Sequence, residues 1–182
     1  MTTEKIHNSP RSIALIGLMG AGKSSVGRRL AKKLGLPFVD ADDEIEKAAG
    51  LSIDDIFEVY GEAAFRDGER RVLLRLLDTG PQVIATGGGA FMDEQIRGKI
   101  AETAVSVWLK AGLDTLLERT SRRDDRPLLN TGDPKAILEK LITERYPVYG
   151  GADITIEGDN NSLDVTVGCI IEALDKNQEQ PS

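Results

Sequence analysis

Apolar positions along the 182-residue chain fall into two alternating kinds. Short runs at 12–17 (SIALIG), 37–40 (PFVD), 82–86 (QVIAT), 104–110 (AVSVWLK) and 153–157 (DITIE) are rich in β-branched residues. Most lack the every-second-residue pattern of a half-exposed strand, which predicts strands buried on both faces. Between them apolar residues return at helical spacing, as in Val26, Leu30, Ala31 and Leu34, and again in Phe65, Val72, Leu73, Leu76 and Leu77. Strands and helices in alternation predict an α/β fold of three layers, α/β/α, with a five-stranded parallel sheet and right-handed crossovers. Ligands of such sheets collect beyond the carboxyl ends of the strands, so each loop that follows a strand is a candidate site.

Composition narrows the partners. Hydrophobic residues make up 40% and charged residues 29%, ordinary values for a globular chain, and no run approaches the ~18 apolar residues of a membrane span. One domain is expected over 12–176, with a disordered leader at 1–11 and a disordered tail at 177–182. The formal charge of −7 argues against nucleic acid and against an anionic membrane surface, so any anion site must be local. The lone histidine, His7, lies in the polar leader, which argues against a histidine metal site or a Ser-His-Asp triad. The lone cysteine, Cys169, sits in the apolar run VTVGCIIEAL and is expected to pack as a small hydrophobe. A single thiol and a polar start without a secretory core point to the cytoplasm.

The first strand opens onto GLMGAGKS, 17–24, which fulfils G-x-x-x-x-G-K-[ST] with a strand before it and an amphipathic helix after it. Such a loop turns backbone N–H groups inward as an anion nest at a positive helix end, placing Gly20, Ala21, Gly22, Lys23, Ser24 and Ser25 around the phosphates of a nucleoside triphosphate. Lys23 reaches the β- and γ-phosphates and Ser24 offers its hydroxyl to Mg²⁺. The bland alternative is a glycine turn with a helix cap. A guanine-reading NKxD stretch is absent, and QVIAT ends in threonine and glycines where a P-loop protein usually carries a metal-shell aspartate.

Two acidic residues can replace that aspartate. FVDADDEIE brings Asp40 and Asp42 to the sheet's carboxyl edge, Asp40 for the metal shell and Asp42 to orient or deprotonate an acceptor hydroxyl; helix capping is the competing use. In GEAAFRDGERR, Arg66 has Glu62 four residues before it and Glu69 three after, spacing that serves an ordinary helical ion pair or a guanidinium held for bidentate capture of a carboxylate. ERTSRRDDRPLLNTGDP is charged and turn-rich and predicts a mobile lid at about 119–133, with Arg126, fixed before Pro127, closing over the phosphates. Arg145 in LITERYPVYG stands near a helix end, where interaction with the helix dipole is the simple explanation. VIATGGGAF ends a buried strand in Gly87, Gly88 and Gly89, either to present bare backbone to a ligand or as a turn before a helix near Asp93.

The ordered set GLMGAGKSSVGRRLA, FVDADDEIE, GEAAFRDGE, IATGGG, RPLL and RYPVY resembles the shikimate kinase family, small P-loop kinases of the nucleoside monophosphate kinase-like fold, from Ser12 to Leu174. The resemblance implies ATP-dependent phosphorylation of the 3-hydroxyl of shikimate to 3-phosphoshikimate, on the route to chorismate and the aromatic amino acids, with Mg²⁺ as cofactor. It implies catalytic roles for Lys23, Asp42 and Arg126, a metal shell of Ser24 and Asp40, and a shikimate-carboxylate clamp of Arg66 and Arg145. It further implies acceptor contacts from the backbone of Gly87, Gly88 and Gly89, and stacking of Arg119 on adenine. A cytoplasmic monomer is expected. Ser25 departs from the usual threonine, and EGDNNSL lacks the proline often found in the family's adenine-binding loop. A gluconate kinase of the same fold would also use arginines and an aspartate; FRDGE and TGGG together favour shikimate. A regulatory module that had lost catalysis would be expected to lack the acidic pair or the lid arginine, and the chain carries both.

Overall fold

The computed structural model describes residues 11–122 and 132–179. Its elements are β1 (Ser12–Ile16), α1 (Lys23–Leu34), β2 (Phe38–Asp40), α2 (Ala41–Ala49), α3 (Ile53–Asp78) and β3 (Val83–Ala85), then a 3-10 turn (Ala90–Met92). They continue as α4 (Glu94–Thr103), β4 (Ala104–Lys110), α5 (Leu113–Ser121), α6 (Pro134–Tyr149), β5 (Ile154–Glu157) and α7 (Leu163–Gln178). The strands form one parallel sheet in the order β2-β3-β1-β4-β5. Each run of β-branched residues has become a strand.

Burial explains the strand patterns. Every residue of β1 and β3 is buried, as an apolar run without alternation requires when helices cover both faces of a parallel sheet. The two edge strands depart from that expectation. β2 is half-buried throughout, and β5 alternates, with Ile154 and Ile156 buried and Thr155 and Glu157 exposed, because an edge is covered incompletely. Cys169 also departs: it is exposed, since α7 turns Thr166, Val167, Ile170 and Leu174 inward. The predicted helical stripes are buried in α1 and α3 except for half-buried Leu34, and full burial of a residue such as Leu30 or Leu73 contributes roughly 1.5–3 kcal/mol. Among the described residues no helix is long and apolar enough to cross a membrane.

Topology sets the place of the site. The chain passes from β3 to β4 across the central β1, so the loops leaving β1 and β3 lie side by side. Ala85 is in register with both Leu15 and Asp40, which puts the first glycine loop, the TGGG stretch and the acidic pair at one sheet edge. α3 is not one smooth helix: Gly61 breaks it at φ 83°, ψ 172°.

Candidate functional site

The loop after β1 is shaped by backbone that only glycine adopts readily. Gly20 and Gly22 have φ of 84° and 92°, and Gly22 is the N-cap of α1 without any side-chain cap, so the helix's first N–H groups face the loop. Lys23 Nζ donates to the carbonyl oxygens of Gly17 at 2.7 Å and Leu18 at 3.0 Å. Arg119, in the last turn of α5, donates through Nη1 to the carbonyls of Gly20 and Ala21, both at 3.3 Å, so a residue about a hundred positions away buttresses the same loop.

Asp40 caps the next helix and also reaches the P-loop. One carboxylate oxygen accepts from the Asp42 backbone N–H at 3.0 Å and caps α2; the other accepts from the Ser24 hydroxyl at 2.6 Å. Capping therefore leaves the second oxygen facing the P-loop. Among the described residues no three His, Cys, Asp or Glu side chains are grouped as a metal cage. The touching hydroxyl and carboxylate of Ser24 and Asp40 nevertheless fit Mg²⁺, a hard cation that takes few protein oxygens and keeps waters and substrate phosphates as its other ligands.

The TGGG stretch is strapped across this edge. Thr86 ties it to β1, donating from its backbone N–H at 3.2 Å and its hydroxyl at 2.8 Å to the Leu15 carbonyl. At the far end Asp93 caps α4 and receives Arg70 Nε at 2.7 Å. A Cβ at Gly87 would lie 2.7 Å from Glu69 Oε2 and 3.2 Å from Asp42 Oδ1; at Gly89 it would lie 2.5 and 2.7 Å from the two terminal nitrogens of Arg66. At both positions a Cβ would have to displace the ends of side chains packed on the strap. At Gly88 the nearest atoms are Met19 N at 3.5 Å and Arg145 Nη1 at 3.6 Å, so a Cβ there would meet only ordinary van der Waals contact.

Those side chains form a small ionic cluster. Arg66 Nη1 donates to Glu69 Oε1 at 2.9 Å while Nη2 stands 3.6 Å from Glu62, the two-sided support that the spacing implied. Glu69 is only 1% exposed, and its Oε2 has no hydrogen-bond partner among the described protein atoms. Burial pushes its carboxyl pKa up, the positive charge of Arg66 opposes that rise, and the charge on Asp42 adds to it. Arg145 is buried against Gly88, so its surroundings are this cluster and not the solvent at a helix end.

The fold therefore brings Gly20, Ala21, Gly22, Lys23, Ser24, Asp40 and Arg119 together, and beside them Asp42, Arg66, Gly87, Gly88, Gly89 and Arg145. Ser25 is exposed on the first turn of α1. Arg126 and the middle of the expected lid lie outside the described residues. Sequence reasoning gave Glu69 no role beyond its ion pair and did not single out Tyr149 or Asp159. Tyr149 donates from its hydroxyl to the Gly88 carbonyl. Both carboxylate oxygens of Asp159 accept from Gly112 N–H, at 3.0 and 3.1 Å. That contact, with Thr115, lowers the Asp159 pKa and fastens the loop after β5 to the first turn of α5. Glu69 and Tyr149 lie inside the quoted FRDGE and RYPVY stretches; Asp159 carried no local signal beyond its place after a strand.

A family model described as shikimate kinase matches residues 19–175. The chain belongs to the shikimate kinase family. A shikimate kinase of Bradyrhizobium diazoefficiens is 58% identical over 164 residues, 90% of this chain and 79% of the relative. One of Rhodopseudomonas palustris is 62% identical over 146 residues, 80% of this chain and 72% of that one. The structure of the Acinetobacter baumannii shikimate kinase in complex with shikimate superposes with a TM-score of 0.90 at 37% identity, covering 94% of this chain and 97% of that one. This likeness carries the P-loop kinase fold over the whole sheet and its helices.

Proposed function

We infer that the chain transfers the γ-phosphoryl group of ATP to the 3-hydroxyl of shikimate, giving ADP and 3-phosphoshikimate. The observation that carries this reading is the approach of two guanidiniums, Arg66 and Arg145, to one glycine strap, with Asp42 beside them and the P-loop next door. Two arginines at one spot suit a carboxylate, and a half-buried aspartate suits hydroxyls. An acceptor with its carboxylate on the arginines would turn its ring hydroxyls towards Asp42 and the phosphates.

In this reading Gly20, Ala21, Gly22, Ser24 and Ser25 hold the phosphates by backbone and hydroxyl groups, and Lys23 swings from the Gly17 and Leu18 carbonyls to the β- and γ-phosphates. Arg119 borders the adenine, and Arg126 completes the positive surround of the transferring group. Ser24 and Asp40 would hold Mg²⁺, which when bound supplies positive charge to the phosphates. Asp42 accepts the acceptor's hydroxyl hydrogen bond, aligning the oxygen with the phosphoryl group; a loose transition state asks for alignment before proton removal. The proton passes to the Asp42 carboxylate as the new phosphate ester forms. Gly87, Gly88 and Gly89 leave room for the acceptor and line it with backbone. The reading includes a lid at about 119–133 that excludes water, action in the cytoplasm, and a monomeric enzyme.

The test is ADP release by the purified protein with Mg-ATP and either shikimate or gluconate. Turnover that depends on shikimate and not on gluconate is expected; ADP release indifferent to shikimate overturns the reading.

A further inference from the structure

We propose that Tyr149 is a positioning residue of the acceptor site, holding the Gly88 carbonyl and the Arg145 guanidinium in one arrangement; the proposal rests on the shikimate kinase reading above. Tyr149 closes α6 and is fully buried. Its ring is held on several sides, with centroids 5.8 Å from Trp108, 6.1 Å from Tyr146 and 6.3 Å from Phe91. A phenylalanine would satisfy that packing. What it would not supply is the hydroxyl, which donates to the Gly88 carbonyl and stands close enough to Arg145 for that positive charge to oppose the effect of burial on the phenol. Arg145 stands four residues earlier on α6, which places both side chains on one helix face. Burial raises the phenol pKa, so at neutral pH the group is an O–H donor.

The consequence follows from peptide geometry. The Gly88 carbonyl and the Gly89 N–H share one planar trans unit, so a carbonyl fixed towards α6 directs that N–H away from α6. Three glycines in a row have the freest of backbones, and a strap that must present one set of N–H groups needs an outside anchor. Thr86 and Asp93 anchor its ends. Tyr149 anchors its middle, at the same glycine that Arg145 Nη1 approaches. The RYPVY stretch thus carries two functional residues on one helical turn, one meeting the acceptor and one setting the first.

Tyr149→Phe tests this without emptying the core. Loss of one buried hydrogen bond is expected to raise KM for shikimate roughly five- to thirtyfold, with kcat and KM for ATP changed less than about twofold. The dissociation constant for shikimate, read from the fluorescence of the sole tryptophan, Trp108, should rise in parallel. Arg145→Lys keeps the charge and loses the planar donor, so the double variant with Tyr149→Phe should lose less shikimate affinity than the two single losses added together. A wild-type protein active on shikimate with an unchanged KM in Tyr149→Phe overturns the positioning role and leaves the function intact. So does a rise of both KM values in step with a lower melting temperature, or full additivity in the double variant. A wild-type protein that does not turn over shikimate overturns the function itself, and the proposal with it.

Discussion

Alanine at Gly88 separates what the strap does for the ligand from what it does for the fold. A Cβ there meets nothing nearer than Met19 N at 3.5 Å and Arg145 Nη1 at 3.6 Å, ordinary van der Waals contact. Gly88 also lies outside the positive-φ glycines, so an L-residue fits its backbone. Folded-state cost is therefore small, and a lower entropy of the unfolded chain returns ~0.4–1 kcal/mol, which keeps the melting temperature within about 4 °C of wild type. The methyl group, however, projects between the P-loop and Arg145, where the proposed function puts the acceptor. Crowding a bound ligand by one carbon costs roughly 1–3 kcal/mol, so KM for shikimate should rise about 5- to 150-fold with KM for ATP near its original value.

Gly89→Ala is the contrast. Its Cβ would fall 2.5, 2.7 and 2.8 Å from Nη1, Nη2 and Cζ of Arg66, and the guanidinium must leave its place beside Glu69. Overpacking of this kind costs roughly 1–3 kcal/mol, so this variant should lose several degrees of melting temperature as well as shikimate affinity. Thermal unfolding by circular dichroism and an ADP-release assay with each substrate varied in turn read both variants. Equal rises of the two KM values in Gly88→Ala, or a Gly89→Ala protein with wild-type stability and affinity, would refute the division of labour along the strap.

Three further outcomes follow from the cluster beneath it. Glu69 has its folded-state pKa raised, so it favours the folded state most at pH values below its unfolded pKa and loses that contribution as pH rises through the folded value. The melting temperature of Glu69→Gln minus that of wild type should therefore grow more positive as pH rises from about 4.5, the ordinary glutamate value, towards about pH 8, and a flat difference would count against a buried, strained carboxylate. Arg66→Ala removes the partner of that carboxylate and should both weaken shikimate binding and lower stability; adding Glu69→Gln should recover the melting temperature but not the KM, and recovery of both would show that Arg66 serves the fold alone. Asp40→Asn keeps a good helix cap while deleting the charge beside Ser24, so the Mg²⁺ concentration for half-maximal activity should rise several-fold with little change in melting temperature or in KM for shikimate, and an unchanged Mg²⁺ requirement would remove Asp40 from the metal shell.

How far the sequence carried depends on whether a signal was local. The strands of the interior were legible because burial on both faces writes itself as an unbroken apolar run, as in SIALIG; the edge strand β5 was legible as a strand but not in its exposure, since being an edge is a property of sheet order. Cys169 was misplaced for a related reason: an apolar neighbourhood in sequence does not say which side of α7 a given residue takes. The P-loop was legible because its chemistry lies in eight consecutive residues, and Arg66 because both its supports lie within four. The strap was only half legible. Three glycines announce a close approach but not what approaches, and at two of them the answer is Glu69 and Arg66, brought by α3 from about twenty residues away. Tyr149 was hidden more deeply, because a buried tyrosine on the inner face of a helix reads as core until its hydroxyl is seen on a carbonyl sixty-one positions earlier. Polar contacts across the sheet edge are what a linear pattern cannot encode, and here they tie Glu69, Arg66 and Tyr149 to one glycine strap.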